Sequence, residues 1–374
     1  MIKGNISQKV NRKACSANRK HKQFFSAVGK PKPVDASQKN AKLYQITYAN
    51  GSNYLYTACQ QPNSDLIAYL TDPYGLSITG ASLSYVNQRT GMSTIIDYAE
   101  NCEYGKDIVF TQDGSRMYVL DDGGNSGQII EYFTFDNNWL YARTFSIEAM
   151  MPDQECTESS PGYIYGAPES MAIDPTTGNI WIAFARITTQ HSILGSCYNL
   201  RTDSAYAIFN PDNSTLSIEL DSSQFFYPED PNPYHTRAIN FAPDGALYIA
   251  GYGDGPGYFG YTVYKGMPGN TFEIFAGQDY GQGGHTGDGG PATEATLNLP
   301  WGVAIDENNN VYISESGNRD IRVVNSAGII DTLIADVGYN PRHLKLGTSS
   351  EKPLLLAMDG LGENSGYILS LTDY

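Results

Sequence analysis

Along the chain, one pattern of hydrophobic and polar positions recurs: an apolar strand, a turn of Asp, Asn or Gly, and an apolar-aromatic strand. Alternating positions on both sides of such a turn predict an antiparallel β-hairpin. Equivalent second-strand positions are spaced by 62, 63, 67, 64 and 43 residues, which indicates an internal repeat. The copies are LYQITYANGSNYLYTA, KDIVFTQDGSRMYVL, ESMAIDPTTGNIWIA, RAINFAPDGALYIA, WGVAIDENNNVYIS and RHLKLGTSSEKPLLLA, with second-strand positions Tyr56, Tyr118, Trp181, Tyr248, Tyr312 and Leu355.

A second hairpin follows the first hairpin in each of these units, as in QIIEYFTF with WLYARTFSI and DIRVVNS with IIDTLIAD. Four antiparallel strands repeated six times predict an all-β, six-bladed β-propeller. The last unit has three strands, the third being GYILSLTDY, and no fourth strand follows before the chain ends. We therefore expect an N-terminal strand, at about Gln23–Gly29, to complete this blade and close the ring.

Composition agrees with a turn-rich β protein, because the 374 residues include 38 Gly and 19 Pro. Charged residues make up 17% and hydrophobic residues 41%, which argues against a disordered chain. The longest clear apolar run, from Leu354 to Met358, is far too short for a membrane span, and Phe24 to Val28 is too short for a signal-peptide core. The sequence predicts one propeller domain, residues 23–374, with no membrane partner.

Charge divides the chain into two parts. The net charge is −16, yet residues 1–43 carry eleven basic residues and one acidic residue. The remainder is strongly acidic, which argues against nucleic-acid binding by the propeller body. Residues 1–22 form a basic arm without acidic residues, and its seven cations are Lys3, Lys9, Arg12, Lys13, Arg19, Lys20 and Lys22.

One blade carries a more specific signature. The segment from Thr286 to Val324, TGDGGPATEATLNLPWGVAIDENNNVYISESGNRDIRVV, closely resembles the bacterial form of the NHL repeat, including the GDGGPAT lead-in and the GNR turn. The resemblance implies the six-bladed fold, but no single activity. Propellers of this kind include protein-binding and RNA-binding domains, a lyase, and neighbours such as calcium-dependent lactonases.

The innermost strand of each blade lines the central channel of a propeller, so residues that begin these strands are expected at one mouth. Charged and aromatic side chains that converge there are candidates for ligand binding. The alternative is that they neutralise one another around a water-filled channel. The ligand-binding candidates are Glu169, His235, Arg237, Trp301, Arg342 and His343, together with Lys106 and Asp107 at the same rim.

Metal binding is a second alternative at this mouth. His235 and His343 supply two imidazoles without a clear third ligand, which is a weak basis for zinc. The loops between second and third strands are acidic and Gly-rich, and calcium is the cation that their oxygens would suit. Tight turns also require Gly and Asp, so these loops need no cation to be explained, and the sequence assigns no cofactor. The loop acids are Asp121, Asp122, Asp254, Glu315, Asp359 and Glu363.

The cysteines add one further expectation. There is no Cys-x-x-Cys pair, which argues against a structural zinc site. Cys59 and Cys102, and likewise Cys156 and Cys197, have similar separations, which suggests two equivalent bridges. Reduced thiols are the alternative, because sequence alone does not fix disulfide pairing.

The function that these features favour is a non-enzymatic, NHL-like structural or protein-interaction module of a larger assembly, such as a virion or phage tail. The basic arm would anchor the propeller to an acidic neighbouring subunit, since an arm of this composition becomes ordered only by docking. A metal-dependent hydrolase, lactonase or lyase at the channel mouth is the first alternative. A carbohydrate- or peptide-binding module is the second, since Tyr252, Tyr258, Tyr261 and Trp301 offer aromatic faces.

Overall fold

A computed structural model shows six antiparallel sheets that form an all-β propeller. The first three blades and the N-terminal strands account for β1 to β14. The bounds are β1 Pro33–Val34, β2 Ala41–Ile46, β3 Tyr54–Gln60, β4 Leu66–Asp72, β5 Ser82–Asn87, β6 Ser93–Tyr98, β7 Gly105–Phe110, β8 Arg116–Asp121, β9 Gln128–Phe135, β10 Asn138–Ser146, β11 Gly162–Ile173, β12 Ile180–His191, β13 Cys197–Asn210 and β14 Thr215–Asp221.

The last three blades contain the remaining strands. They are β15 Tyr234–Phe241, β16 Leu247–Gly255, β17 Tyr258–Gly266, β18 Glu273–Gln278, β19 Gly290–Pro291, β20 Pro300–Ile305, β21 Val311–Glu315, β22 Asp320–Val324, β23 Ile329–Ile334, β24 Pro341–Leu346, β25 Leu354–Asp359 and β26 Gly366–Leu371. A four-residue helix, α1 (Ile147–Met150), and a short 3₁₀ turn, Ala292–Glu294, are the helical elements of the described residues.

The structure describes residues 33–34, 41–46, 54–72, 82–87, 93–98, 102, 105–122, 127–136, 138–150, 155, 157, 162–191, 197–221, 234–255, 258–278, 283–337, 340–347, 354–359 and 366–371. Within this part of the chain, no helix is long and apolar enough to cross a membrane. The basic arm and the predicted domain boundary at residue 23 lie outside it, so both stay predictions.

The innermost strands β3, β7, β11, β15, β20 and β24 contact one another in sequence, and β24 also contacts β3. The ring is therefore closed. Hydrophobic clusters lie between consecutive blades: Ile129 and Met171 share one cluster, and Val263 and Val303 share another. Burial of apolar side chains between neighbouring sheets is what holds successive blades face to face.

Turn chemistry explains the first hairpin of four blades. The carboxylates of Asp113, Asp174, Asp244 and Asp306 each accept a hydrogen bond from the backbone N–H two residues later. An Asp side chain that bonds its own turn backbone stabilises the reversal of the chain. The repeated Asp-centred turns predicted from sequence are therefore present.

The chain ends close the ring, but with a different segment from the one predicted. Along its free edge, β26 pairs antiparallel with β2, from Ala41 with Leu371 to Ile46 with Gly366. An N-terminal strand therefore completes the sixth blade, as expected. Ala41–Ile46 occupies the place assigned to Gln23–Gly29, which lies outside the described residues.

This pairing also corrects the first repeat. The segment from Leu43 belongs to the outer part of the sixth blade, and the first blade begins with β3 as its innermost strand. Tyr56 is therefore on an innermost strand, whereas Tyr118, Trp181, Tyr248, Tyr312 and Leu355 are on second strands as predicted. The error arose because two consecutive strands resemble a hairpin in sequence even when they belong to different blades.

Candidate functional site

Each innermost strand carries a β-bulge at the same place. In the fourth blade Thr236 pairs with Gly251 and Ala238 with Ala250, so that Arg237 has no partner in the register. The pairings of the other five blades skip the corresponding residue in the same way. Bulges redirect side chains and are common beside functional sites. The six skipped residues, here called the mouth ring, are Tyr56, Lys106, Glu169, Arg237, Trp301 and Arg342.

Four members of the mouth ring contact one another across blades three to six. Arg237 Nη1 lies 3.3 Å from Glu169 Oε1. The guanidinium carbon of Arg237 is 4.5 Å from the ring centre of Trp301, and that of Arg342 is 4.4 Å from it. Both distances are within the range of cation–π attraction. Four of the six ligand-binding candidates predicted from sequence are thus brought together, with Trp301 between two arginines.

Arg237 also forms contacts with residues of its own blade. Its Nη2 donates to the Tyr252 hydroxyl at 2.9 Å, and the Tyr252 ring lies 5.1 Å from the ring of His235. The backbone of Gly251 approaches so closely that a Cβ there would overlap the carbonyl oxygen of His235. These contacts fix the position of the guanidinium before any ligand arrives.

A buried ion pair lies next to the mouth ring. Lys345 Nζ, from blade six, lies 3.0 Å from Asp107 Oδ1, from blade two, and donates to the Met171 carbonyl at 3.3 Å. Asp107 is fully buried and also accepts from Ser170 Oγ at 3.1 Å and from Met171 N at 2.9 Å. Thr57 Oγ1 of the first blade donates to the same side chain at 3.5 Å, so four blades meet at one carboxylate. Sequence reasoning placed Asp107 at the rim and missed Lys345, because only the closed ring brings residues 107 and 345 together.

His343 adjoins this layer, and desolvation lowers its pKa from 6.5 to about 4, against the opposing effect of the Asp107 carboxylate. The imidazole is therefore neutral at pH 7. In the described part of the chain, neither His343 nor His235 belongs to a group of three side chains that could hold a metal ion.

The acidic loops have different partners. Asp121 is fully buried and accepts from Cys102 Sγ at 3.2 Å and from Gln128 Nε2 at 2.8 Å, while Asp122 pairs with Lys106 of the mouth ring at 3.3 Å. Glu363 and the side chains of Asp254 and Asp359 lie outside what the structure describes. Glu315 alone among these acids joins a candidate metal cluster of the described residues.

That cluster lies in the fifth blade, at the turn between β21 and β22. His285 Nδ1 lies 2.8 Å from Asp320 Oδ2, and the potential ligand atoms of His285, Glu315 and Asp320 all lie within 4.8 Å of one another. Glu315 and Asp320 are buried, whereas His285 is exposed. Because Pro300, next to the mouth-ring residue Trp301, pairs with Glu315, the cluster is on the same end of the sheet as the mouth. We call these three residues the His285 cluster.

A buried arginine borders the His285 cluster. Arg322 is fully buried, and its Nη1 lies 3.3 Å from Glu315 Oε2 while its Nη2 lies 2.5 Å from Asp288 Oδ1. Burial, followed by repulsion from Asp320, raises the pKa of Glu315 to about 9, and burial also raises the pKa of Asp320. The sequence identifies the two segments that carry the cluster, the NHL lead-in and the GNR turn. It does not indicate that their side chains lie together.

The first predicted disulfide is not formed. Cys59 and Cys102 are both free thiols, and burial raises the pKa of Cys59 to about 11. Cys59 lies near the C-terminal end of β3 and pairs with Ala68 of β4 in its own blade, whereas Cys102 bonds to Asp121 of the second blade. Cys156 and the side chain of Cys197 lie outside what the structure describes.

Comparisons with known proteins agree with this architecture. Residues 278–350 match the Teneurin NHL domain family. A gluconolactonase from Xanthomonas campestris aligns at a TM-score of 0.55 and 14% identity, over 92% of this chain and 96% of its own. An auxiliary nutrient binding protein from Bacteroides ovatus aligns at a TM-score of 0.55 and 15% identity, over 90% of this chain and 78% of its own. A virginiamycin B lyase from Staphylococcus aureus aligns at a TM-score of 0.51 and 12% identity, over 89% of this chain and 100% of its own.

At these identities the structural matches establish the fold alone, because one propeller fold supports many activities. The resemblance of the fifth blade to NHL repeats, seen first in its lead-in and turn, is confirmed by the family match. The chain is an all-β propeller with an NHL-type repeat within residues 278–350.

Proposed function

We propose that the protein is a non-enzymatic interaction module, and that its mouth ring binds a carboxylate-bearing segment of a partner polypeptide. The observation that carries this proposal is the common bulge of the six innermost strands, which in blades two to six places Lys106, Glu169, Arg237, Trp301 and Arg342 at equivalent positions of the mouth. Convergent polar groups on a rigid scaffold are typical of binding sites.

Charge supports an acidic ligand. The mouth ring contains Lys106, Arg237 and Arg342, and two acids oppose them, Glu169 beside Arg237 and Asp122 beside Lys106, so the mouth keeps an excess of one cation in a chain with a net charge of −16. Arginine presents a planar set of donors that matches the two oxygens of a carboxylate. A basic mouth on an acidic protein also orients an acidic segment toward the channel rather than toward the flanks.

The aromatic residues support a peptide over a stacked sugar. Two guanidinium groups already lie over the Trp301 ring, so a sugar that stacked on this ring would have to displace one of them. The ring instead holds both arginines in place. Next to them, the buried Lys345–Asp107 pair joins blades six and two, so its charges are already matched and the mouth ring is left as the part available to a ligand.

Anion binding gives a direct test. We expect fluorescence anisotropy to detect binding of a labelled oligoglutamate peptide, and weaker binding as salt is raised, because salt screens charge attraction. Oligoglutamine of the same length should not bind. Arg342→Gln should weaken oligoglutamate binding about tenfold to a hundredfold, the effect of losing one charge-assisted hydrogen bond.

A matched control distinguishes binding at the mouth ring from a general effect of the protein's net charge. Arg319→Gln removes the same charge from an exposed pair with Asp336, on the β21–β22 turn, and should leave binding unchanged. Arg342→Lys keeps the charge without the planar donors and should give an intermediate affinity. Equal binding of both peptides, or equal loss in Arg342→Gln and Arg319→Gln, would show that the mouth ring is not the site.

Anchoring by the basic arm remains a separate proposal. Its residues lie outside the described chain, and what supports it is the charge division between residues 1–43 and the rest of the sequence. An acidic neighbouring subunit is the partner that this charge would favour, while a virion or tail assembly is one setting in which such arms occur.

A further inference from the structure

We propose that the His285 cluster is a binding site for a divalent transition-metal ion, separate from the mouth ring. The site would take Zn²⁺ or a similar first-row ion through one imidazole nitrogen and two carboxylates, and would tie the lead-in loop of the fifth blade to the β21–β22 turn.

Geometry is the first support. One nitrogen and two oxygen ligand atoms lie within 4.8 Å of one another, close enough for a single ion to reach all three. Imidazole with carboxylate is a donor set that suits Zn²⁺ and its neighbours, whereas Ca²⁺ prefers oxygen alone. The exposed face of His285 provides access from solvent.

An unsatisfied atom is the second support. Asp320 has only 2% of its surface exposed, and its Oδ1 is buried without a hydrogen-bond partner. A carboxylate oxygen that is removed from water and left unpaired costs free energy, and buried charges are normally paired or bound to metal. This atom belongs to the cluster residue that already contacts His285.

Charge is the third support. Asp288, Glu315 and Asp320 surround a single buried cation, Arg322, so carboxyl groups outnumber cations in this group. A divalent ion would supply the positive charge that allows Glu315 and Asp320 to be ionised together. Glu315 Oε1 keeps hydrogen bonds from Asn298 N and Asn318 Nδ2, which hold its carboxylate in place on the ligand side.

The remaining nitrogen of His285 has a supporting partner. Its Nε2 lies 3.3 Å from Thr332 Oγ1, so Nδ1 is the nitrogen that faces Asp320. Ligating histidines usually have their second nitrogen held by such a neighbour, which fixes the ring orientation. When a metal binds Nδ1, the proton that now joins Nδ1 to Asp320 would move to Nε2, which would then donate to Thr332 Oγ1.

Titration with metal tests the site. The full-length protein, treated with chelator and dialysed, should bind about one equivalent of Zn²⁺ by isothermal titration calorimetry, and Co²⁺ should give the visible absorption of a nitrogen-ligated site. Asp320→Asn and His285→Gln should each weaken Zn²⁺ binding by more than about a hundredfold, because loss of a direct ligand exceeds the effect of losing a residue that only supports a ligand. Glu307→Gln, an exposed acid on the β20–β21 turn of the same blade, is the matched control and should bind as the wild type does.

The competing explanation is a proton held between the two buried carboxyl groups. In that case the wild type would bind no Zn²⁺, whereas Asp320→Asn, which removes the repulsion, would only raise thermal stability. That outcome would overturn the proposal, as would binding that survives in both ligand variants. Since the exposed His285→Gln variant should fold even if Asp320→Asn does not, the test stays decisive. Oligoglutamate binding at the mouth is measured independently.

Discussion

Loss of the Lys345 ammonium should destabilise the whole ring. The Lys345→Met variant keeps most of the side-chain volume but leaves the fully buried Asp107 carboxylate without its cation, which lies 3.0 Å away in the wild type. Breaking a buried pair by removing one partner costs about 3–5 kcal/mol. Asp107 keeps hydrogen bonds from Ile108 N, Ser170 Oγ and Met171 N, so we expect a value near the lower limit, about 3 kcal/mol.

Equilibrium denaturation in urea, followed by tryptophan fluorescence, measures this loss as a fall in the free energy of unfolding. The double variant Lys345→Met with Asp107→Asn should lose about 0.5–3 kcal/mol less than the sum of the two single variants, because the two side chains interact directly. Lys106→Met is the control, since its pair with Asp122 is partly exposed and should contribute less than about 1 kcal/mol. A loss below about 1 kcal/mol for Lys345→Met, or strict additivity in the double variant, would refute the reasoning.

Three further predictions follow from the same structure. The pKa of His343 falls from 6.5 to about 4 in the folded protein, so between these pH values the unfolded state binds more protons. The free energy of unfolding should therefore drop as pH falls through this window. A His343→Gln variant should show a flatter dependence of this free energy on pH in urea denaturation. Gly251→Ala should destabilise the fourth blade by about 1–3 kcal/mol, because the added methyl overlaps the His235 carbonyl, and an unchanged thermal midpoint would contradict this close approach. Deletion of residues 2–20 should leave the unfolding transition of the propeller unchanged while abolishing its incorporation into an assembly, and normal incorporation would disprove anchoring by the arm.

Local signals account for the parts that could be predicted. Asp-centred turns between alternating strands identify the hairpins, and their regular spacing identifies the blades, because both depend on residues close together in sequence. The mouth candidates Glu169, Arg237, Trp301 and Arg342 were found in the same way, since each is the first residue of a repeat copy. The number of hairpins in each repeat predicts four strands per blade, and the number of repeats predicts six blades per ring.

Closure of the ring was harder to predict. The strand Ala41–Ile46 looks in sequence like the first half of a hairpin with Tyr54–Gln60, yet it pairs with Gly366–Leu371. Pairing register depends on which edge is free after all other blades have formed, and a local pattern contains no information about that edge. The predicted bridge between Cys59 and Cys102 failed for a related reason, because similar spacing does not establish where two thiols lie.

By itself, the sequence determined the all-β class, the repeat, the NHL-type blade and the identity of most mouth residues, because hydrophobic alternation and turn chemistry act over a few residues. Only the tertiary structure decided the common bulge of the innermost strands, the meeting of Asp107 with Lys345 and the His285 cluster. These features join side chains that are distant in the chain, and 238 positions separate Asp107 from Lys345. A closed ring brings such residues into contact, and burial then strengthens the interactions between their charges, because the interior screens them less than water does.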